Sequence, residues 1–174
     1  GFFCCAPDGP SGRGFRSPGN LCAVAWSIYG VHNVSVAVPG FRWQVRVYYE
    51  DTDSGGVVYY ANYLRFMERA RTEWMRALGF EQDTLLDRDG ILFAVRSASL
   101  EFLKPARFND LLSVSCDVVK SGRASLTFEQ LIARDGDGQD PLCSGQVRIA
   151  CVDASSFQPR AIPGYILKEI ADVR

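Results

Sequence analysis

Tyr63, Phe66, Met67, Ala70, Trp74, Ala77 and Leu78 recur at the i, i+3, i+4, i+7 spacing that puts all of them on one face of an α-helix. Arg65, Arg69, Thr72, Glu73 and Arg76 take the opposite side, where Arg69–Glu73 and Glu73–Arg76 are spaced to pair across one turn, each worth roughly a few tenths of a kcal/mol. Gly79 follows as a C′ stop. A stripe this bulky has to be buried by something, and the flanking sequence offers strands. Phe41, Trp43, Val45, Val47 and Tyr49 alternate with Arg42, Gln44, Arg46 and Tyr48, the period of two that marks a half-buried strand. Beyond the helix, Ile91 to Leu103 is mostly apolar, and Leu112, Val114, Cys116 and Val118 alternate with Ser113, Ser115 and Asp117. Leu126, Phe128 and Ile132 alternate with Thr127 and Glu129, and Cys143, Val147, Ile149 and Cys151 make a last strand. Between these two runs "RDGDGQDP" reads as a hairpin turn. Pro159 and Pro163 break the chain before a short helix ending near Ile170. One strand, a long helix and four strands joined largely by short turns predict an antiparallel meander with the helix on its face, an α+β arrangement.

A chain of 174 residues, 47% hydrophobic and 22% charged, is long enough for one well-buried domain and short for two. Residues 1–40 differ from the rest. "GFFCCAPDGPSGRGFRSPGN" is rich in Gly, Pro and Ser without periodicity, and is expected to be a disordered or non-native N-terminal extension ahead of a domain over 41–174. "LCAVAWSIYGV", with Arg13 and Arg16 upstream, faintly resembles a secretion signal but has no clear small-x-small cleavage site. A formal net charge of −1 gives no bulk attraction to nucleic acid, and no apolar run approaches a membrane span. The six cysteines form no C-x-x-C pair, and Cys116, Cys143 and Cys151 fall in strands, where a thiol behaves as a small hydrophobe. A reducing, cytoplasmic setting is expected. The one histidine, His32, belongs to the extension, which excludes Ser-His-Asp and Cys-His mechanisms and imidazole-based metal sites from the domain.

The chemistry-bearing stretch is "YYEDTDSGGVVYYANY", from Tyr48. As a calcium loop starting at Asp51 it has Asp53 and Gly56 in place, but Gly55 and Asn62 stand where ligands are needed and a strand precedes it where an EF-hand needs a helix. Ser54-Gly55-Gly56 lacks the Gly-Lys-Ser/Thr of a phosphate loop. As a catalytic turn it makes better sense. The first N–H groups of the following helix lack internal partners and carry partial positive charge. A thioester or ester carbonyl placed there has its oxyanion stabilised by about 3 to 4 kcal/mol per donor. Gly55 and Gly56 allow close approach, and Asp53 acts as nucleophile or as base for a water, with Asp51 and Glu50 adding like charge beside it. The alternative for Asp53 is a turn-forming or helix-capping role.

The stretch "YYEDTDSGGVVYYANYLRFMERARTEWMRALG" resembles the signature of the 4-hydroxybenzoyl-CoA thioesterase family, and most resembles its Tol-Pal-associated acyl-CoA thioesterase branch. The resemblance runs from about Phe41 to about Ile170 and takes in "VRSASLEFLKPARFNDLL" and "PRAIP". It implies a hotdog fold, an antiparallel sheet wrapped around one long central helix, in homodimers or homotetramers with sites at the subunit interface. By that resemblance Asp53 is the catalytic aspartate, the Tyr60 N–H polarises the thioester carbonyl, Gly56 and Val58 line the approach, and Arg123 and Ser125 are candidates to contact CoA. The branch usually carries a histidine at Tyr60, while the aromatic-acyl enzymes carry a tyrosine. A second family variant takes its acid from the helix, where Glu68 or Glu73 is the candidate. The implied activity is acyl-CoA thioester hydrolysis without metal or redox cofactor. The alternatives are a non-catalytic module binding acyl-CoA or acyl carrier protein, and a dehydratase, which needs a histidine the domain lacks.

Overall fold

The computed structural model describes residues 40–136 and 141–172. His32, the expected extension up to Pro39 and the tip of the "RDGDGQDP" turn lie outside them. Strand β1 (Arg42–Arg46) leads through a single 3₁₀ turn (Tyr49–Asp51) and a loop into helix α1 (Tyr60–Ala77). A short helix α2 (Gln82–Asp89) precedes the long strand β2 (Ile91–Phe102). Strands β3 (Leu111–Ser115), β4 (Asp117–Ser121), β5 (Ser125–Arg134) and β6 (Pro141–Asp153) follow, and helix α3 (Gly164–Asp172) ends the described chain.

The α+β class is as expected, but the sheet is no meander. Its order is β1-β3-β5-β6-β2, with β4 also paired to β5, and every pairing is antiparallel. β2 crosses to β6 instead of pairing with its sequence neighbour β3, so the sheet closes around α1 from both sides. The strand expected over 112–118 is two strands laid end to end along β5: β3 pairs at Val114↔Ile132 and β4 at Val118↔Phe128, with the chain breaking at Cys116. The Cys116 N–H turns instead to the Phe41 carbonyl (3.2 Å).

Helix α1 is the axis of two apolar clusters. Its first half sets Tyr63, Phe66, Met67 and Ala70 against Val45, Val47, Leu112, Val114 and Ile132. Its second half sets Trp74 and Met75 against Phe128, Val147, Cys151 and the α3 residues Ile166 and Ile170. Phe66 and Met67 are fully buried, each worth on the order of 2 to 3 kcal/mol. Met67 reaches β6 because residue 145 is glycine: a Cβ there would sit 2.9 Å from the Met67 Cε. Two expected inward residues point out. Ala77 is exposed because the helix ends there, and Met75 and Arg71 are buried in its place. Tyr49 is exposed because β1 stops at Arg46 and the 3₁₀ turn rotates the chain. At the other end of α1, Gly79 (φ +84°) donates to Arg76 O (2.8 Å) and Phe80 to Met75 O (2.9 Å), a Schellman cap on the expected stop. Of the two expected ion pairs, Arg76 meets Glu73 and adds Glu81, while Arg69–Glu73 is not among the pairs of the described residues.

Arg71 departs most from the apolar pattern. It is buried on α1, and its Nη1 donates to Gln130 Oε1 (2.7 Å). Gln130 in turn donates to Met67 O (3.0 Å) and Ser115 O (3.3 Å), which ties the middle of the helix to the sheet at its β3–β4 break.

Candidate active site

The loop between the 3₁₀ turn and α1 is folded by its own backbone. Asp53 N–H donates to Val57 O (2.9 Å), Gly56 N–H donates to Asp53 O (3.0 Å), and Thr52 faces Val58 in an antiparallel bridge. The turn needs φ +73° at Gly56, a value that glycine adopts without penalty. Asp53 is exposed in the single chain, and its Oδ1 accepts the Gly55 N–H at 2.7 Å. This is the turn-forming role weighed as the alternative, and it holds one carboxylate oxygen in a fixed place. A Cβ at residue 55 would lie 3.0 Å from that same oxygen, so glycine there leaves room for the close approach.

Asp51 does a different job from its neighbours. It is buried, and its Oδ2 accepts the Tyr48 N–H (2.8 Å), so its carboxylate closes the 3₁₀ turn. Its carbonyl accepts both the Tyr59 N–H (2.8 Å) and the buried Asn62 Nδ2 (2.9 Å). These two bonds pin the start of α1 to the acidic loop. Helix α1 has no side-chain N-cap, and the N–H groups of Tyr60 and Ala61 have no acceptor among the described residues. Loop 103–110 covers the other side: Val58 N–H donates to Ala106 O (2.9 Å), Val57 faces Arg107 in a second bridge, and Tyr63 Oη accepts the Ala106 N–H (2.9 Å).

The expected site residues divide on this geometry. Asp53, Gly56 and Tyr60 share one loop and helix start. Val58 is a neighbour in the chain but is buried in the first-half core cluster. Arg123 and Ser125 are at the other end of the sheet. Ser125 begins β5, whose last residue Arg134 donates to Pro105 O beside the loop (2.9 Å), and a strand of that length spans about 30 Å. Ser125 Oγ accepts from Arg148 Nη2 (3.4 Å). Glu68 and Glu73 are about 12 and 20 Å along the helix axis from its start. Glu68 accepts from Thr72 Oγ1 (3.0 Å), and Glu73 is held by Arg76. The thiols of Cys116, Cys143 and Cys151 are free and buried, and burial raises all three, Cys143 to about 12, so they stay protonated. A cavity of about 350 Å³ opens at the sheet, lined by Glu101, Asp117, Glu129 and Gln146 among others, with no residue of the Asp53 loop.

Asn62 was not singled out from the sequence, and Tyr63 and the 103–110 loop were read as core stripe and family stretch without their place beside the site. The signal for Asn62 was present: an amide three positions into a helix, inside an otherwise apolar face.

An eighteen-residue helix clasped by one antiparallel sheet, with a glycine-shaped acidic loop at its start, defines a hotdog-fold protein. A crystal structure of a probable thioesterase from Bartonella henselae superposes with a TM-score of 0.66 at 35% identity, covering 71% of this chain and 98% of that one. That of a 1,4-dihydroxy-2-naphthoyl-CoA thioesterase from Synechocystis superposes at 0.70, covering 76% and 96%, its 22% identity bearing on the fold alone. The thioesterase superfamily model matches residues 55–140. The Haemophilus influenzae acyl-CoA thioesterase YbgC is 44% identical over 71% of this chain and 89% of its own length. The Escherichia coli acyl-CoA thioester hydrolase YbgC is 42% identical over 74% and 94%. The chain belongs to the thioesterase superfamily.

Proposed function

We propose that this protein is an acyl-CoA thioester hydrolase in which Asp53 supplies the carboxylate and the start of α1 supplies the oxyanion site. The observation that carries this reading is the pinning of the Asp53 loop to the start of α1 through Asp51 O, in a chain 44% identical to an acyl-CoA thioesterase. The thioester carbonyl oxygen accepts the Tyr60 N–H, aided by the partial positive charge of the helix start. Asp53, with Oδ1 held by Gly55, presents Oδ2 to the carbonyl carbon. It attacks directly, giving an acyl-aspartyl anhydride and CoA thiolate that water then resolves, or it takes a proton from a water that attacks. Either way one water is consumed, the C–S bond breaks, and the products are a carboxylate and CoA thiol.

The site is completed by a second copy of the chain. Among the described residues β2 pairs only with β6, and its other edge, on a twelve-residue strand, has no strand partner and leaves Val95 55% exposed. A two-fold antiparallel partner along this edge covers it. The Phe102 end of β2 packs on Tyr60 and Tyr63, while its Ile91 end lies beside β6 Asp153, at the Arg123–Ser125 end of the sheet. Antiparallel pairing therefore brings the Arg123–Ser125 end of one subunit toward the loop of the other. This supports a homodimer, alone or paired into a homotetramer, and explains why Asp53 is exposed in one chain. The free, buried thiols support a reducing, cytoplasmic setting.

Asp53→Asn keeps the Gly55 hydrogen bond and removes the charge. Turnover on an acyl-CoA panel, read by thiol trapping, should fall at least about a hundredfold with little loss of stability. Unchanged turnover would refute the role of Asp53, and tight acyl-CoA binding without thiol release in the unmutated protein would favour a binding module.

A further inference from the structure

Helix α2 leaves an apolar space beside β2 that its own side chains do not fill. A cleft of about 220 Å³ opens between α2 and the first residues of β2, walled chiefly by Leu85, Leu86, Ile91 and Phe93. Leu85 and Ile91 belong to the second-half core cluster and are buried beneath it, while Leu86 stands 44% exposed. The polar residues of the lining are engaged elsewhere: Gln82 Nε2 donates to Thr72 Oγ1 (3.1 Å), and Asp83 Oδ1 accepts the Thr84 N–H (2.8 Å). With one carboxylate and no cation among the described residues that line it, the cleft suits an apolar chain and repels phosphate.

The course of β2 joins this cleft to the site. A bulge at Arg96 keeps both halves of the strand turned inward: Phe93, Val95, Ala98 and Phe102 pair with Cys151, Ile149, Val147 and Cys143, all buried in the core. Without the extra residue the two ends would face opposite sides of the sheet. One inward-facing track, which includes the exposed Val95, therefore follows the open edge from the cleft to the contact of Phe102 with Tyr60. In the proposed antiparallel dimer the Ile91 end of one β2 meets the Phe102 end of the other, so each cleft opens toward the Asp53 loop of the other subunit. Ser125, the candidate CoA contact, is on the outer face instead: it accepts from Arg148, which points outward between the buried Val147 and Ile149. A thioester at the shared edge then has its nucleotide arm on the outer face and its acyl chain on the inner one.

We propose that the cleft beside α2 receives the acyl chain of a substrate held on the Asp53 loop of the other subunit, and sets the chain length that is accepted. This deepens the acyl-CoA hydrolase reading and rests on it and on its dimer. A cavity of roughly 150 Å³ lined by Leu, Ile and Phe takes a benzene ring, so about 220 Å³ has room for about eight carbons of a medium-length aliphatic chain. Each methylene buried there adds about fourfold to kcat/KM until the cleft is full.

The test measures kcat/KM for CoA esters from acetyl to dodecanoyl on the full chain, on Leu86→Trp, which fills the cleft with bulk, and on Leu86→Glu, which charges it. Both variants should lower the octanoyl-to-propionyl ratio on the order of fiftyfold, the loss of about three buried methylenes, with the circular dichroism spectrum retained. Leu86→Trp co-expressed with Asp53→Asn should regain octanoyl turnover, to about a quarter of the parent's, because each mixed dimer keeps one intact loop facing one intact cleft. An unchanged ratio in both variants overturns the cleft, and a lowered ratio that the mixture does not restore overturns its place across the interface. Calorimetric titration with S-octyl-CoA, a thioether, needs no hydrolysis: the parent should bind it more tightly than free CoA, and both variants should lose that gain. If the parent cleaves no thioester yet shows the gain and its loss, the hydrolase reading fails and the acyl seat stands. Equal affinities of the parent for the two ligands overturn the seat.

Discussion

Removing the Asn62 amide should disable the enzyme far more than it unfolds it. Asn62 is 6% exposed, and its Nδ2 is one of two donors that hold Asp51 O over the start of α1. In Asn62→Ala the Asp51 carbonyl keeps the Tyr59 N–H at 2.8 Å, so no buried acceptor is orphaned and the cost is that of one ordinary hydrogen bond, about 1 kcal/mol. For a chain of this length that lowers Tm by about 2 to 4 °C. The loop, however, loses the side chain that sets its register against the helix, and a displacement of roughly 1 Å between Asp53 and the Tyr60 N–H costs up to about a hundredfold in rate. Thermal melts at a fixed protomer concentration, followed by steady-state thiol release, separate the two effects. The expected result is kcat down about 10- to 100-fold, in a protein still folded at the assay temperature. Asn62→Asp sharpens the test: it places a carboxylate in the first turn, where the helix field favours it, but cannot donate to Asp51 O. If it restores turnover, or if Asn62→Ala keeps the original kcat, the register argument is wrong.

Gln130→Leu strands the buried Arg71 guanidinium and should cost about 3 kcal/mol in urea denaturation, whereas the double change Arg71→Met with Gln130→Leu should cost less than the single one, since both polar partners leave together; additive losses would refute the coupling. The unmutated chain should sediment as a dimer or larger, and Val95→Glu, which sets like charges on the open β2 edge, should shift it toward monomer with loss of turnover and retention of the circular dichroism spectrum; a monomeric, active parent protein refutes the interface. Asp153 is held below the usual carboxylate value, chiefly by the Ser156 N–H, then by the Ser156 hydroxyl and the Ser155 N–H. A depressed carboxylate stabilises the fold above its unfolded pKa and loses that contribution as pH falls through its folded one. Asp153→Asn should therefore be less stable than the parent at neutral pH, with the gap in melting temperature closing toward pH 3; a gap independent of pH refutes the assignment.

The sequence was most legible where short-range chemistry decides the structure. The α1 stripe, its Gly79 stop, the alternation in β5 and β6, and the glycine turn that fixes the Asp53 backbone are each settled by residues a few positions apart. Helix α2 escaped notice because "QDTLLDRD" has only Leu85 and Leu86 to bury, too little apolar signal for a periodicity. Tyr49 continued the alternation of β1 by type alone, and nothing within its strand told that the chain turns at Arg46. Sheet order was illegible for a different reason. Every strand can pair antiparallel with its sequence neighbour, and the choice of β6 over β3 as the partner of β2 is made by enclosing α1, a property of the whole chain.

The polar exceptions follow the same division. Arg71 and Gln130 break the apolar pattern separately and satisfy it together, so the reason for either is 59 positions away from it. The proposed site extends this one step further. The acid and its turn are local and were read directly, and the pin to the helix through Asn62 is eleven positions long. In the proposed dimer, what encloses the site is another subunit, at no distance along this chain at all. On that proposal the exposure of Asp53 in one chain and the open edge of β2 have one cause. A variant that closes the edge without a partner, such as a proline-bearing β2 that folds as a monomer, should keep Asp53 in its Gly55-held turn and still lose turnover.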